Sequence, residues 1–129
     1  MDDPVGTVRR ILCVDDDPDA RALLEIALAT VGGFDLQFCA SGEQALGAIP
    51  EFAPDLVILD VKMPGLNGPE TLDGLRKRSN GSDCPVIFLT AVAQPEILES
   101  LGGVGAAAIV TKPFDPMTLA DTVREFLDR

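Results

Sequence analysis

The sequence contains no histidine, no tryptophan and no tyrosine. Without histidine, the chain has no Ser-His-Asp or Cys-His catalytic site and no histidine-ligated metal site. Its three cysteines, Cys13, Cys39 and Cys84, form no C-x-x-C pair, so neither a disulfide framework nor a zinc site is predicted. Any chemistry must therefore use carboxylates, hydroxyls, lysine or a hard cation.

Basic residues and long apolar runs are also scarce. The chain has 10 basic and 21 acidic residues, a formal net charge of −11, and such a surface repels phosphate backbones. We therefore expect no direct nucleic-acid binding. No apolar run has the length of a membrane span, and the N-terminal MDDPVGTVRR lacks the apolar core of a signal peptide. A cytoplasmic protein without membrane contact is expected.

The chain contains enough hydrophobic residues to form one hydrophobic core. Its 129 residues are 47% hydrophobic, which predicts a single domain over residues 1–129 with its core at about 9–128. No linker, repeat or low-complexity tract divides it. No effector domain is expected in this chain.

Short apolar runs alternate with helical patterns along this domain. The predicted strands are residues 11–14, 34–38, 56–59, 86–89 and 106–110. The predicted helices are residues 17–31, 41–50, a segment after Gly68, residues 95–101 and residues 115–127. This alternation predicts an α/β fold, a doubly wound five-stranded parallel sheet with helices on both faces.

The helix limits follow from capping residues and breakers. Asp17 and Asp115 each precede a proline and are predicted N-caps, and Pro50 is predicted to end the second helix. In the first helix, residues repeating at helical spacing are predicted to face the core: Leu23, Leu24, Ala27, Leu28 and Val31.

Polar residues follow four of the strands. Asp15 and Asp16 follow the first strand, Asp60 the third, Thr90 the fourth, and Lys112 comes soon after the fifth. Each alone has an ordinary structural explanation, such as a helix cap, a turn residue or a solvated charge. Because parallel strands end at one edge of a sheet, where sites form, the set together predicts a functional site.

The residue types at this edge suit phosphoryl chemistry. Crowded carboxylates raise one another's pKa, and a hard cation such as Mg²⁺ relieves that repulsion with oxygen ligands alone. Aspartate is a known covalent nucleophile. A lysine and a threonine hydroxyl nearby would interact with a phosphoryl group.

Four motifs, in order and each on its expected element, resemble the receiver domains of two-component response regulators. They are ILCVDDDPDAR, LVILDVKMPGLNG, VIFLTA and VTKPF, and the resemblance spans essentially the whole chain. It implies a flavodoxin-like sheet of order 2-1-3-4-5 with five helices. It also implies a phosphoacceptor switch in a phosphorelay, a signalling domain that catalyses only its own phosphorylation and dephosphorylation.

The resemblance assigns the metal ligands and the phosphoacceptor. It implies that Asp60 accepts a phosphoryl group from a phosphohistidine on a sensor histidine kinase or a histidine phosphotransfer protein. It further implies that Mg²⁺ (or Mn²⁺) is held by Asp15, Asp16, Asp60 and the backbone carbonyl of Lys62, with Asp15 acting at least through water.

The resemblance also gives roles to the remaining polar residues. It implies that Lys112 pairs with Asp60 or its phosphate, that Thr90 moves toward the phosphate, and that Lys112–Pro113 is cis. The conformational change that follows phosphorylation is expected to reach the surface formed by the predicted helix from Pro95, the fifth strand and the last helix. The downstream target is a protein of unknown identity, and a phosphorylation-dependent homodimer is consistent with the family.

Two positions qualify the resemblance. Many receivers carry Tyr or Phe where this chain has Ile109, so a switch through an inward-turning ring is not implied here. Lys62 occupies a position that influences phosphate lifetime; its side chain either covers the phosphate or points to solvent.

Two alternatives remain open from the sequence. One is a receiver-fold scaffold or binding module that is never phosphorylated; the missing aromatic residue at Ile109 leaves it open, and the intact set of Asp16, Asp60, Thr90 and Lys112 weighs against it. The other is a haloacid-dehalogenase-type phosphatase with Asp15-x-Asp17 as its opening motif. Pro18 directly after Asp17 and the lack of an evident later paired-acid motif weigh against the phosphatase.

Overall fold

Five strands form one parallel sheet in the computed structural model, which describes residues 9–77, 84–91, 99 and 106–128. The strands are β1 (Arg10–Val14), β2 (Asp35–Cys39), β3 (Leu56–Asp60), β4 (Val86–Thr90) and β5 (Ala108–Thr111). Their spatial order is β2-β1-β3-β4-β5, and every neighbouring pair is parallel. The predicted fold class and strand order are confirmed.

The helices lie between the strands in sequence. They are α1 (Pro18–Leu24), which runs directly into a π-helical segment (Glu25–Val31), and then α2 (Gly42–Phe52), α3 (Gly68–Arg76) and α4 (Pro116–Leu127). The helix predicted over residues 95–101 lies outside the described residues apart from Glu99. Among the described residues, none of the helices has the length and apolar character needed to cross a bilayer.

Both faces of the central strands β1, β3 and β4 are buried, which explains why these strands are almost continuously apolar. On one face, β1 and β3 pack against α2 and α3 through buried side chains that include Leu12, Val14, Leu59, Ile49 and Leu72. On the other face, the same strands pack against the first helix and α4 through side chains that include Ile11, Ile58, Leu24, Leu28 and Val123. A strand covered on both sides cannot alternate apolar and polar residues.

Polar side chains cap the helices at the edge where the strands end. Asp17 accepts from the N–H of Asp19 at 3.0 Å, and Asp115 accepts from the N–H of Met117 at 2.8 Å. Both predicted N-caps are confirmed, each with proline next in sequence. Such a cap stabilises a helix by about 1 kcal/mol.

Two expectations about the limits of the helices and strands are wrong in detail. Pro50 does not end α2, which continues to Phe52 and stops at Ala53, a residue with left-handed φ of 50°. Proline removes only one N–H in the last turn, and the Ala53 N–H still bonds to the Ile49 carbonyl at 2.9 Å. The fifth strand spans Ala108–Thr111 rather than residues 106–110.

The first helix presents a narrower apolar stripe than predicted. Leu24, Ala27 and Leu28 are buried, but Leu23 and Val31 are 39% and 38% exposed. The reason for Val31 is the π-helical segment, where the Gly32 N–H bonds to the Ala27 carbonyl, five residues back. Such a turn is wider than an α-helical turn and rotates later side chains away from the expected face.

Candidate functional site

The carboxyl ends of four strands bring the predicted site residues together. Asp15 directly follows β1, Asp60 ends β3, Thr90 ends β4 and Lys112 follows β5. Carboxylate oxygens of Asp15, Asp16 and Asp60 lie within 4.8 Å of one another. The acidic cluster expected from the strand ends is therefore present.

The two buried aspartates of the cluster contact the same lysine side chain. Asp15 is 0% exposed and Asp60 is 6% exposed, whereas Asp16 is exposed. Lys112 Nζ lies 2.7 Å from Asp15 Oδ2 and 3.3 Å from Asp60 Oδ1. Lys112 thus offsets part of the repulsion between two carboxylates that are otherwise costly to bury.

Burial and the contacts between lysine and aspartate shift the pKa of these groups in opposite directions. Burial raises the pKa of Asp60 above its ordinary value, and the charge of Asp15 raises it further, while Lys112 opposes both. For Lys112, burial lowers the pKa, but the contacts with Asp15 and Asp60 outweigh it and the pKa lies above its ordinary value. Asp60 is therefore an acid that a further cation would help to ionise.

Every polar atom of Asp15 takes part in a hydrogen bond. Its N–H donates to the Cys39 carbonyl at 3.0 Å, continuing the β1–β2 ladder. Its Oδ1 accepts from the Asp17 N–H at 3.0 Å, and its Oδ2 accepts from Lys112. Its carbonyl oxygen accepts from Arg21 Nη1 at 2.7 Å. Sequence reasoning did not find Arg21; a basic residue four positions after the N-cap Asp17 was the available signal.

A cavity of about 370 Å³ opens beside Asp60. Its wall is formed by Asp17, Asp60, Val61, Lys62, Thr90, Ala91 and Lys112. The phosphoacceptor candidate, the lysine and the threonine therefore face one space, whereas Asp15 does not line it. Lys62 is exposed and borders the same cavity.

Gly68 fixes the backbone that carries Asp60. A Cβ at this glycine would lie 2.7 Å from the Asp60 carbonyl oxygen and 2.9 Å from Val61 Cα. The Gly68 N–H donates to the Val61 carbonyl at 2.9 Å. Asn67 and Glu70 form a reciprocal capping box at the same helix start. The first turn of α3 thus packs directly on the backbone at the end of β3.

Two other sequence expectations can be located near the site. The Lys112–Pro113 peptide is cis, as the resemblance implied. Ile109 lies in β5, is half-buried, and packs against the core face covered by α2 and α3.

The carboxylate cluster fits a magnesium ion. Mg²⁺ takes oxygen ligands at about 2.0–2.1 Å in an octahedron, so oxygens on opposite sides of it lie roughly 4 Å apart. The spacing of at most 4.8 Å among the three carboxylates needs only a small contraction to meet this. The donor set is hard oxygen throughout, which suits Mg²⁺ rather than a softer metal.

Comparison with known proteins assigns the family. The sequence model of the response regulator receiver domain family matches residues 11–124 of this chain. The chain therefore belongs to the response regulator receiver domain family and is a receiver domain of two-component response regulators. Its acidic cluster of Asp15, Asp16 and Asp60 fits the phosphoacceptor site of that family.

Individual relatives agree with this assignment. The DNA-binding response regulator MtrA of Mycolicibacterium smegmatis is 41% identical over 123 residues, covering 94% of this chain and 51% of that protein. The chain thus spans about half the length of this curated relative. Direct nucleic-acid binding by these 129 residues is untested by this likeness, and its expected absence stays a prediction.

Solved structures share the fold across their whole length. The chemotaxis protein CheY4 of Vibrio cholerae has a TM-score of 0.86 and 30% identity, covering 93% of this chain and 99% of that one. The receiver domain of sensor histidine kinase PA1611 from Pseudomonas aeruginosa has a TM-score of 0.86 and 26% identity, covering 95% and 100%. That receiver holds a magnesium ion in its active-site cleft.

Proposed function

We propose that Asp60 is the phosphoacceptor of this receiver and takes a phosphoryl group from a phosphohistidine on a sensor histidine kinase or a histidine phosphotransfer protein. The observation that carries the proposal is geometric. Asp60 lines the cavity together with Lys112 and Thr90, while two further carboxylates lie within 4.8 Å of its own. Asp15, Asp16 and the backbone carbonyl of Lys62 complete the proposed Mg²⁺ or Mn²⁺ site with Asp60.

The transfer forms one bond and breaks another. An Asp60 carboxylate oxygen attacks phosphorus in line, an acyl phosphate forms, and the bond between phosphorus and the donor imidazole nitrogen breaks. Asp15, Asp16 and Asp60 would hold a Mg²⁺ ion, which would supply charge neutralisation on the transferring oxygens. Lys112, already 3.3 Å from Asp60, remains close enough to pair with the new phosphate. Water later hydrolyses the acyl phosphate and restores Asp60.

The phosphate then changes the contacts of the neighbouring strand ends. Thr90 ends β4, is 4% exposed and borders the cavity, so its hydroxyl is in place to donate to a phosphate oxygen. Such new charge-assisted bonds bias a two-state element. We place that element in the residues after Thr90, the segment from Pro95 that the sequence predicts to be helical, β5 and α4, with backbone shifts substituting for the ring that Ile109 lacks.

The output is a change in affinity for a partner protein in the cytoplasm. This chain catalyses only its own phosphorylation and dephosphorylation, and a phosphorylation-dependent homodimer is one form of output. If the domain precedes an effector in a longer protein, as the likeness to MtrA would allow, the DNA contacts belong to that effector rather than to this acidic surface.

The phosphatase alternative gains no support from the site. It takes Asp15 as nucleophile, but Asp15 is fully buried and both of its carboxylate oxygens already accept hydrogen bonds. The unphosphorylated scaffold also gains none, because Asp16, Asp60, Thr90 and Lys112 all meet at one edge of the sheet.

Incubation with Mg²⁺ and acetyl phosphate tests the assignment. We expect intact-mass spectrometry to show the addition of one phosphoryl group to the wild-type chain, and none to Asp60→Asn. Asp35→Asn, an exposed aspartate at the start of β2, serves as the control and should be modified like the wild type. A full mass gain in Asp60→Asn would contradict the proposal.

A further inference from the structure

Arg21 makes a contact that links the first helix to the acidic cluster. Its Nη1 donates a 2.7 Å hydrogen bond to the carbonyl oxygen of Asp15. Arg21 is half-buried and Asp15 is fully buried. A guanidinium-to-carbonyl bond of this length in a partly buried setting is a strong, charge-assisted contact.

Helix formation alone does not explain an arginine at this position. α1 begins at Pro18, and the Arg21 N–H makes one of its first helical bonds, to the Asp17 carbonyl at 3.0 Å. Arg21 lies in the last turn of α1, but the π-helical segment continues the helix to Val31, so no free helix end lies there for its charge to stabilise. The bond to the Asp15 carbonyl accounts for the arginine instead.

The consequence of this bond is the orientation of one peptide unit. The Asp15 carbonyl belongs to the peptide that joins Asp15 to Asp16, so holding its oxygen fixes the plane of that peptide. The Asp15 side chain is separately fixed by Asp17 and Lys112. Asp16 is exposed, and its carboxylate direction depends on the peptide that Arg21 holds.

We propose that Arg21 is a positioning residue for the cation site: by holding the Asp15–Asp16 peptide, it sets the affinity of the acidic cluster for Mg²⁺. The inference rests on the proposed function, because it concerns the same cation site. Groups that orient metal ligands from outside the coordination sphere typically change metal affinity 10–100-fold when removed.

The positive charge of Arg21 and its positioning role have opposite effects on Mg²⁺ affinity, which makes the inference testable. A guanidinium near a cation site repels the cation, so its removal would tighten Mg²⁺ binding if charge were its only influence. Loss of positioning would weaken binding instead. The sign of the change therefore separates the two effects.

Three variants test the role by titration with MgCl₂ in a calorimeter, since the chain lacks tryptophan and tyrosine as intrinsic reporters. We expect Arg21→Ala to weaken Mg²⁺ binding about 10-fold, and Arg21→Lys to recover part of the loss. Arg10→Ala is the matched control. Arg10 Nη1 also donates to a backbone carbonyl, that of Phe52 at 2.9 Å, but at the opposite end of β1.

Phosphorylation by acetyl phosphate supplies a readout that simple destabilisation would not reproduce. For Arg21→Ala, the Mg²⁺ concentration giving half-maximal rate should rise about 10-fold, while the rate at saturating Mg²⁺ stays close to that of the wild type. Unchanged or tighter Mg²⁺ binding in Arg21→Ala, or an equal loss in Arg10→Ala, would overturn the inference. A wild-type chain that binds no Mg²⁺ would overturn the proposed function as well.

Discussion

Asp15 and Asp60 have the same side chain and differ in what surrounds it. Asp15 is fully buried with both carboxylate oxygens bonded, whereas Asp60 lines an open cavity. Both follow or end an apolar strand, so the sequence around them does not distinguish a fixed acid from a reactive one. The partners that arrive from other strands decide the difference, and Lys112 is the main one.

At the residue scale, Asp60→Asn should stabilise the Mg²⁺-free protein at pH 7 by about 0.5–2 kcal/mol. The pKa of Asp60 is raised in the folded state, so the folded protein binds this proton more tightly than the unfolded chain does. The contribution of Asp60 to wild-type stability therefore falls as the pH rises from the ordinary value of 3.8 through the folded pKa, and it is lost above that pKa. Asparagine does not titrate and removes this loss.

Urea unfolding in EDTA across the acidic to neutral range measures this difference. The gap between Asp60→Asn and wild type should close as the pH falls toward 3.8. The exposed control, Asp35→Asn, should change stability by less than about 0.5 kcal/mol. A variant less stable than wild type at pH 7 would show that Lys112 more than compensates the buried charge.

At the scale of elements, helix and strand types were predictable but their exposed faces were less so. Asp17, Asp115 and the prolines after them mark helix starts because capping is a local interaction. The rotation of Val31 out of the core depends on a widened turn, whose five-residue bond to Gly32 is not encoded in apolar spacing. Pro50 likewise predicts the wrong helix end. The buried side chain of Ile49 stabilises the last turn of α2, so the helix continues past the proline.

The contact between α3 and the end of β3 gives a prediction at this scale. Gly68→Ala should destabilise the protein by about 1–3 kcal/mol, because a Cβ would press on backbone atoms of Asp60 and Val61. It should also slow phosphorylation by acetyl phosphate, since Asp60 would be displaced. Urea unfolding and the modification rate measure the two effects.

Gly47→Ala is the matched control for that substitution. Gly47 lies inside α2, and a Cβ there would meet nothing within 4 Å. Alanine is the better helix former, so this variant should be more stable by about 0.5–1 kcal/mol. Equal stability of Gly68→Ala and wild type would mean that the helix start can move away from the strand end.

At the scale of the whole molecule, excess negative charge and the cation site are connected. The net charge of −11 destabilises the compact state through self-repulsion, and the acidic cluster holds three carboxylates within 4.8 Å of one another. A divalent cation bound there acts on the folded state alone. The receiver therefore should depend on Mg²⁺ for stability as well as for chemistry.

Mg²⁺ at 100 times its Kd should stabilise the protein by about 2.7 kcal/mol, as specific binding to the folded state requires. Urea unfolding with and without MgCl₂ measures the effect, and EDTA should reverse it. NaCl at matched ionic strength is the control, because screening alone also relieves repulsion among surface charges. An equal effect of NaCl would exclude a specific site.

The sequence by itself determined the alternation of strands and helices, the buried sheet and the acids at its edge. Those features depend on apolar patterning and capping, which act over a few neighbouring residues. The family resemblance implied the pairing of Lys112 with Asp60, but only the tertiary structure decided that Lys112 also contacts Asp15 and that Arg21 holds the Asp15 carbonyl. Such contacts join separate elements, and their distances depend on how helices and strands pack rather than on any local pattern.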